Sequence, residues 1–439
     1  MVRRTSEGAF MHVRFARPAL ALMTVLAVGL PTSVAASDAD HTTVASDIPA
    51  RWTPNLVANA AVGHPVAFSI AQAGDQMVVG GRFTAVENSS RTTSYARSNV
   101  FAFDADTGAV SGFAPSVNGE VWSVLGAGGS VYIGGEFTTV NGQPRAAIAK
   151  LDLATGQLDP TFRPAISRGR VTDMELTHGR LIIAGTFANK LTALNPDTGK
   201  ATSYLDVAIT NPLPFTTKTE VFKFDVSPDG QRLVAVGNFT AVNGQGNWRI
   251  FMLNLTDMSA TVSPWIYPHA SRACHAQMNP MYQMYVRDVD FAPDSSYFAV
   301  ASTGGHRING EGPGLVLCDA VARFNTADLA PTQPVWINYT GGDTLHSVAA
   351  SGAAVYVQGH SRWLDNPFGR DSAGPGAVER PGGGAVDPMT GKALPWNPGM
   401  PQQMGGYQIL PVDGGVWFAT DGKRFNQRYH LGIRFVPLP

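Results

Sequence analysis

The 439-residue chain is poor in several things that would declare a function. Charged residues are only 15% and the net charge is −1, so there is no basic face of the kind a nucleic-acid partner requires. Seven of the 32 basic residues are lysine, a bias of genome composition that says nothing about activity. No GxSxG elbow, HExxH or HxxxH spacing occurs, which argues against a serine hydrolase of the elbow type and against a metal site held on one element. Gly382-Gly383-Gly384 has no following helix and makes no phosphate loop. The longest apolar run, Ala19–Leu30, is too short to span a bilayer. Cysteine is down to two residues.

That apolar run has a different meaning. Arg3, Arg4, Arg14 and Arg17 precede it, and Ser33-Val34-Ala35-Ala36 follows with the small residues signal peptidase prefers. Residues 1–36 therefore read as a secretory signal peptide. Met11 is an alternative start that gives a more conventional length. No cysteine follows for a lipid anchor, and the twin arginine lies too far from the apolar core for a twin-arginine signal. Residues 37–46 are small and polar and read as a flexible leader. The mature chain is expected outside the cell, with no membrane span.

What the chain has in abundance is repetition. With 47 glycines, 30 prolines and 44% hydrophobic residues it is turn-rich yet folded. VYIGGEFTTV at Val131–Val140 recurs as MVVGGRFTAV, LIIAGTFANK and LVAVGNFTAV. The second glycines, Gly81, Gly135, Gly185 and Gly237, stand 54, 50 and 52 residues apart. A period of this size marks propellers and solenoids. After each copy comes a second β run ending in Asx-x-x-Thr-Gly, whose side chains cap a turn while glycine takes positive φ. An aromatic follows, usually with proline: Phe113-x-Pro115, Phe162-x-Pro164, Trp396-x-Pro398. Each unit thus reads as four strands, A to D, and seven units can be counted. Asp104-x-Asp106-x-Gly108 resembles a calcium loop but occupies this turn position.

The last unit stops after strand C, and Arg51-Trp52-Thr53-Pro54 supplies an aromatic-x-Pro ending before any strand A. Residues 47–439 are therefore expected to form an all-β, seven-bladed propeller of four-stranded blades. Residues 47–54 complete the last blade and remove open sheet edges. An open solenoid is the alternative. The GGxFT, Asx-x-x-Thr-Gly and W-x-P wording resembles the delta-60-repeat family of exported bacterial β-propellers, closely over residues 48–270 and loosely beyond. The resemblance implies a fold and export, and no chemistry.

Alternating strand direction puts the D–A and B–C loops on one face. All the long insertions fall there (82–98, 207–219, 268–284, 304–320, 359–384), which makes it the working face. Cys274 and Cys318 belong to two such loops of unit five and are expected to form a disulfide; a free or metal-binding pair is the alternative. Of the eight histidines past residue 47, seven map to this face. His64, His275, His306, His346 and His360 are the candidates for a divalent metal, and no cofactor is otherwise indicated. If the protein is an enzyme, His360, His306 or His275 would be the general base and Arg287 would stabilise an oxyanion. Ligand-binding candidates are Arg82, Glu136, Asn238 and Asp421, which follow the second glycine position, together with Tyr285, His346 and Trp363. Strand ends are commonly polar, and Trp363 could equally pack a loop. Three functions stay open: a monomeric secreted binder of a small molecule or glycan, an enzyme such as a lyase, isomerase or hydrolase, and a structural cell-envelope protein.

Overall fold

A computed structural model describes residues 1–2, 39–274, 284–305, 315–400 and 405–439. The chain falls into two compact units, Met1–Thr32 and Ser33–Pro439, and the second carries the β-structure. The expected signal peptide lies almost wholly outside the described residues.

The unit is all-β. Among the described residues the one helical element is a single 3-10 turn, Pro268–Ser271. Seven principal antiparallel sheets follow one another in chain order. Their first strands are Val66–Ala73, Glu120–Ala127, Val171–Thr177, Glu220–Val226, Tyr285–Phe291, Leu345–Ala350 and Gly406–Val412. Each pairs with a second strand, such as Gln76–Arg82 or Ser130–Glu136, and that strand with a third, such as Val100–Asp104 or Ile148–Asp152. The turns behave as their residues dictate. In Asp152-Leu-Ala-Thr-Gly the Asp152 carboxylate accepts from Thr155 N at 2.8 Å and Thr155 Oγ1 at 2.6 Å, and Gly156 takes φ +70°. Asp104 is engaged in the same way by Thr107, so it caps a turn.

The four-stranded expectation needs correction. Among the described residues a regular fourth strand forms only in the fourth and fifth sheets, as Ala260–Val262 and Trp336–Tyr339. Elsewhere the fourth position shrinks to single bridges, Phe103↔Val110, Leu151↔Leu158, Leu194↔Ala201 and Val386↔Ala393. The bridged segments carry proline, glycine or serine (SGFAP, LDPTFRP, LPWNP), and proline has no N–H to donate to a ladder. The two regular strands, ATV and WINY, are β-branched or aromatic.

The core divides into seven apolar clusters, each between two sheets. Phe137 lies in the cluster shared by sheets one and two, with Val100, Phe113 and Val121. The cluster holding Val79, Phe103, Trp417 and Ile433 joins the seventh sheet to the first. Ser46 N and Ala50 N donate to Pro437 O and Phe435 O, both at 2.8 Å, along the outer edge of the seventh sheet. Trp52 packs on Trp417, ring centroids 5.6 Å apart. Antiparallel sheets packed face to face in chain order are the plan of a β-propeller. Two-stranded ribbons, among them Trp363–Leu364 with Val378–Glu379 and Arg424–Phe425 with Arg428–Tyr429, extend from where second strands end.

Candidate functional site

Every first strand slips register once. The slips fall between Ala67/Ser69, Val121/Ser123, Val171/Asp173, Val221/Lys223, Val286/Asp288, Leu345/Ser347 and Gly406/Gln408. Each is a β-bulge that leaves one residue unpaired. The glycine pair explains the geometry. A Cβ on Gly81, Gly135, Gly185 or Gly237 would lie 1.9–2.2 Å from the carbonyl oxygen of Val66, Glu120, Arg170 or Glu220. A Cβ on Gly134 would lie 2.6 Å from Val171 of the next sheet. One glycine lets the bulged strand approach; the other lets the neighbouring sheet pack.

The seven unpaired residues are Phe68, Trp122, Thr172, Phe222, Arg287, His346 and Tyr407, and all seven line one cavity of about 260 Å³ with Arg170, Glu220 and Lys223. This basin opens on the face that carries the insertions. Phe68 and Trp122 stack in parallel at 4.1 Å, and Tyr407 meets Phe68 edge-on at 4.9 Å. The Arg170 guanidinium lies 4.4 Å over Trp122 and pairs with Glu220 at 3.2 Å. Arg287 stacks over Tyr285 at 4.6 Å and Phe222 at 5.2 Å. The His346 ring is 5.3 Å from that of His360 and 6.3 Å from that of Tyr407. Burial, then the charge of Arg287, then His360 push the His346 pKa down to about 3, so its imidazole is neutral near pH 7. Burial raises the Tyr407 phenol to about 12 and lowers Arg287.

Beneath the basin, a cavity of about 150 Å³ is again lined by all seven first strands. The residue after each bulge is polar: Ser69, Ser123, Asp173, Lys223, Asp288, Ser347 and Gln408. Several join one sheet to the next by accepting a backbone N–H. Ser69 takes Val124 N at 3.1 Å, Asp173 takes Phe224 N at 3.0 Å, and Asp288 takes Val348 N at 3.0 Å. Lys223 sits 3.3 Å from Asp173. Burial alone would lower the Lys223 pKa, but the Asp173 and Asp288 carboxylates outweigh it and raise it. Asp288 is pushed up to about 7, chiefly by burial, against the opposing pull of Lys223.

The expected site residues divide. Arg287 and His346 stand in the basin, Tyr285 lies under the Arg287 guanidinium, and His360 flanks His346. Asp421 accepts from Gly405 N at 3.1 Å, and burial raises its pKa. Arg82 and Glu136 are exposed at the rim. Arg82 bonds Glu120 at 3.2 Å and the His64 carbonyl at 3.4 Å; Glu136 is 4.0 Å from Arg170. Asn238 is spent on the 207–219 insertion, where it accepts from Leu213 N at 2.9 Å and donates to Lys218 O at 2.7 Å. Trp363 carries Arg362 at 4.5 Å and is not part of the basin lining. His275 and His306 lie outside the described residues. Among the described residues no three of His, Cys, Asp and Glu gather as metal ligands, so exposed His64 with His346 and His360 does not make a metal centre. Cys274 and Cys318 are disulfide-bonded, Cα atoms 5.7 Å apart.

Sequence reasoning missed Phe68, Trp122, Thr172, Phe222, Tyr407, Arg170, Glu220 and Lys223. The signal was available: a polar residue two places after Ala67, Val121, Val171, Val221, Val286, Leu345 and Gly406, where plain alternation expects a core residue.

One repeat has a family match. A model described as "Domain of unknown function (DUF5122) beta-propeller" matches residues 129–162, which span the second and third strands of sheet two. No curated protein matches the chain. Among solved structures, the computationally designed Ika8 protein is similar at 11% identity and TM-score 0.46, over 88% of this chain and 98% of that one. The Cps50 (Swd1) β-propeller domain of Myceliophteria thermophila is similar at 10% identity and TM-score 0.39, over 67% of this chain and 93% of that one.

Proposed function

We propose that this is an exported, seven-bladed propeller of the delta-60-repeat kind that binds a small ligand in the basin on its loop-bearing face. Residues 46–50 act as the outermost strand of the last blade and close the ring. The signal-like segment 1–36 and the Cys274–Cys318 disulfide support export. The observation that carries the binding reading is the convergence of seven unpaired bulge residues on a single cavity. Seven separate strands each turn one side chain away from pairing and towards the same space, in a mostly aromatic setting with a few polar groups. A histidine-based enzyme is supported less: of the three expected general bases, His275 and His306 lie outside the described residues, and His360 flanks the basin without lining it.

The test is a thermal-shift and ligand-observed NMR screen of one-ring compounds of all charges against the mature protein and Thr172→Trp. Position 172 is a bulge residue, so the indole would occupy the basin. A Phe222→Ala variant reshapes the same space should the first variant fold poorly. The reading expects binders whose affinity falls at least tenfold in these variants. Binders indifferent to both substitutions would remove the basin from the function.

A further inference from the structure

The charges in the basin do not cancel. Three cations line it: Arg170, Lys223 and Arg287. Arg170 is neutralised by Glu220 at 3.2 Å, with Glu136 at 4.0 Å, and Lys223 by Asp173 at 3.3 Å. Arg287 has no carboxylate in ion-pair range among the described residues, and its Nε lacks a hydrogen-bond acceptor. Instead it lies flat over Tyr285 and Phe222. An unpaired charge withdrawn from water is costly unless something compensates it.

The hydrogen-bonding balance points the same way. The Trp122 Nε1 is buried without an acceptor, and no protein partner is seen for the Tyr407 hydroxyl among the described residues. The one acid in the lining, Glu220, is paired with Arg170 and acts on Arg287 only from beyond ion-pair range. The basin therefore offers cationic and neutral donors, while its remaining acceptors, the neutral His346 imidazole and the Thr172 and Tyr407 hydroxyls, carry no charge. A cationic guest would have to use the ring faces, as in aromatic cages. Those faces are occupied: Arg170 covers Trp122, Phe68 stacks on its neighbour, and Arg287 covers Phe222. At about 260 Å³ the space falls below the roughly 300–1,000 Å³ of sites for drug-sized molecules, which suits a single ring.

We propose that the basin selects a small organic anion, one carboxylate or comparable oxyanion carried on a flat apolar ring, with Arg287 as its ionic partner. This rests on the basin being the binding site. The geometry orients the guest: the oxyanion meets the planar fork of Arg287, and the ring lies against Tyr407 and the edges of Phe222 and Trp122.

The experiment titrates benzoate, benzamide, benzylamine and acetate into the mature protein by ligand-observed NMR and calorimetry. Benzoate is expected to bind at least tenfold tighter than the other three. Arg287→Gln should bring benzoate down to the level of benzamide, while Arg82→Gln at the exposed rim leaves it unchanged. Glu220→Gln, which frees Arg170, should tighten benzoate. Equal or stronger binding of benzamide or benzylamine would overturn the anion assignment and leave the basin reading standing. Equal binding of acetate would remove the ring. Benzoate binding that survives Thr172→Trp, or failure of all four probes to bind, would instead defeat the basin reading.

Discussion

Gln408 accepts a hydrogen bond from the backbone N–H of Ile70 at 2.8 Å across 338 residues of chain. It does for the seventh and first sheets what Asp173 does for the third and fourth and Asp288 for the fifth and sixth. Gln408→Ala leaves a buried donor unpaired and is expected to cost about 1–3 kcal/mol. Deleting residues 45–55 removes the outer edge strand as well and should abolish folding. Urea denaturation of the point variant and size-exclusion of the deletion check both; a stable, soluble deletion product would contradict ring closure.

Gly135→Ala places a methyl group 2.0 Å from the Glu120 carbonyl. Backbone must move, and a loss of at least ~2 kcal/mol is expected. Gly112 has no atom within 4 Å of its hypothetical Cβ and no positive φ, so Gly112→Ala should be neutral or slightly stabilising. Denaturation midpoints of the two variants decide whether the repeated glycines serve close approach.

Asp288 holds its proton to about pH 7 in the folded chain, against about 3.9 when unfolded. Its burial penalty is therefore absent below about pH 4, grows through the window, and is complete above about pH 7. Stability relative to Asp288→Asn, in which the neighbours Lys223 and Asp173 are retained, should fall by a few kcal/mol across that window. Urea unfolding of both proteins at several pH values measures it; a pH-independent difference would mean that the carboxylate stays ionised.

Cys274 and Cys318 are 44 residues apart, so in the loop-entropy model their disulfide contributes about 4 kcal/mol. The Cys274→Ser/Cys318→Ser variant should melt several degrees lower, and reductant should lower the wild type to match. No shift on reduction would show that the two loops are held by packing alone.

The sheets could be read from the sequence because glycine pairs, Asx-x-x-Thr-Gly turns and apolar runs are local devices that repeat. Phe137 was legible as a core residue between sheets. The site was legible only in part. The ring of positions at Arg82, Glu136 and Asn238 follows the glycines in sequence, yet those side chains end at the rim or, in Asn238, in loop support. The residues that meet are those opposite the glycines, and the bulge that turns Trp122 and Arg287 inward cannot be counted from period-two alternation. Arg287 and His346 were found through their chemistry, while Phe68, Phe222 and Tyr407 resembled ordinary strand aromatics.

Whether the seven bulge residues build one binding site is decided by a crystal structure of the mature protein soaked with a mixture of one-ring acids, amides and amines. Density is expected in the basin, with its ring against Phe222 and Tyr407 and an oxyanion on Arg287. An empty basin with bound compounds elsewhere on the surface would contradict it.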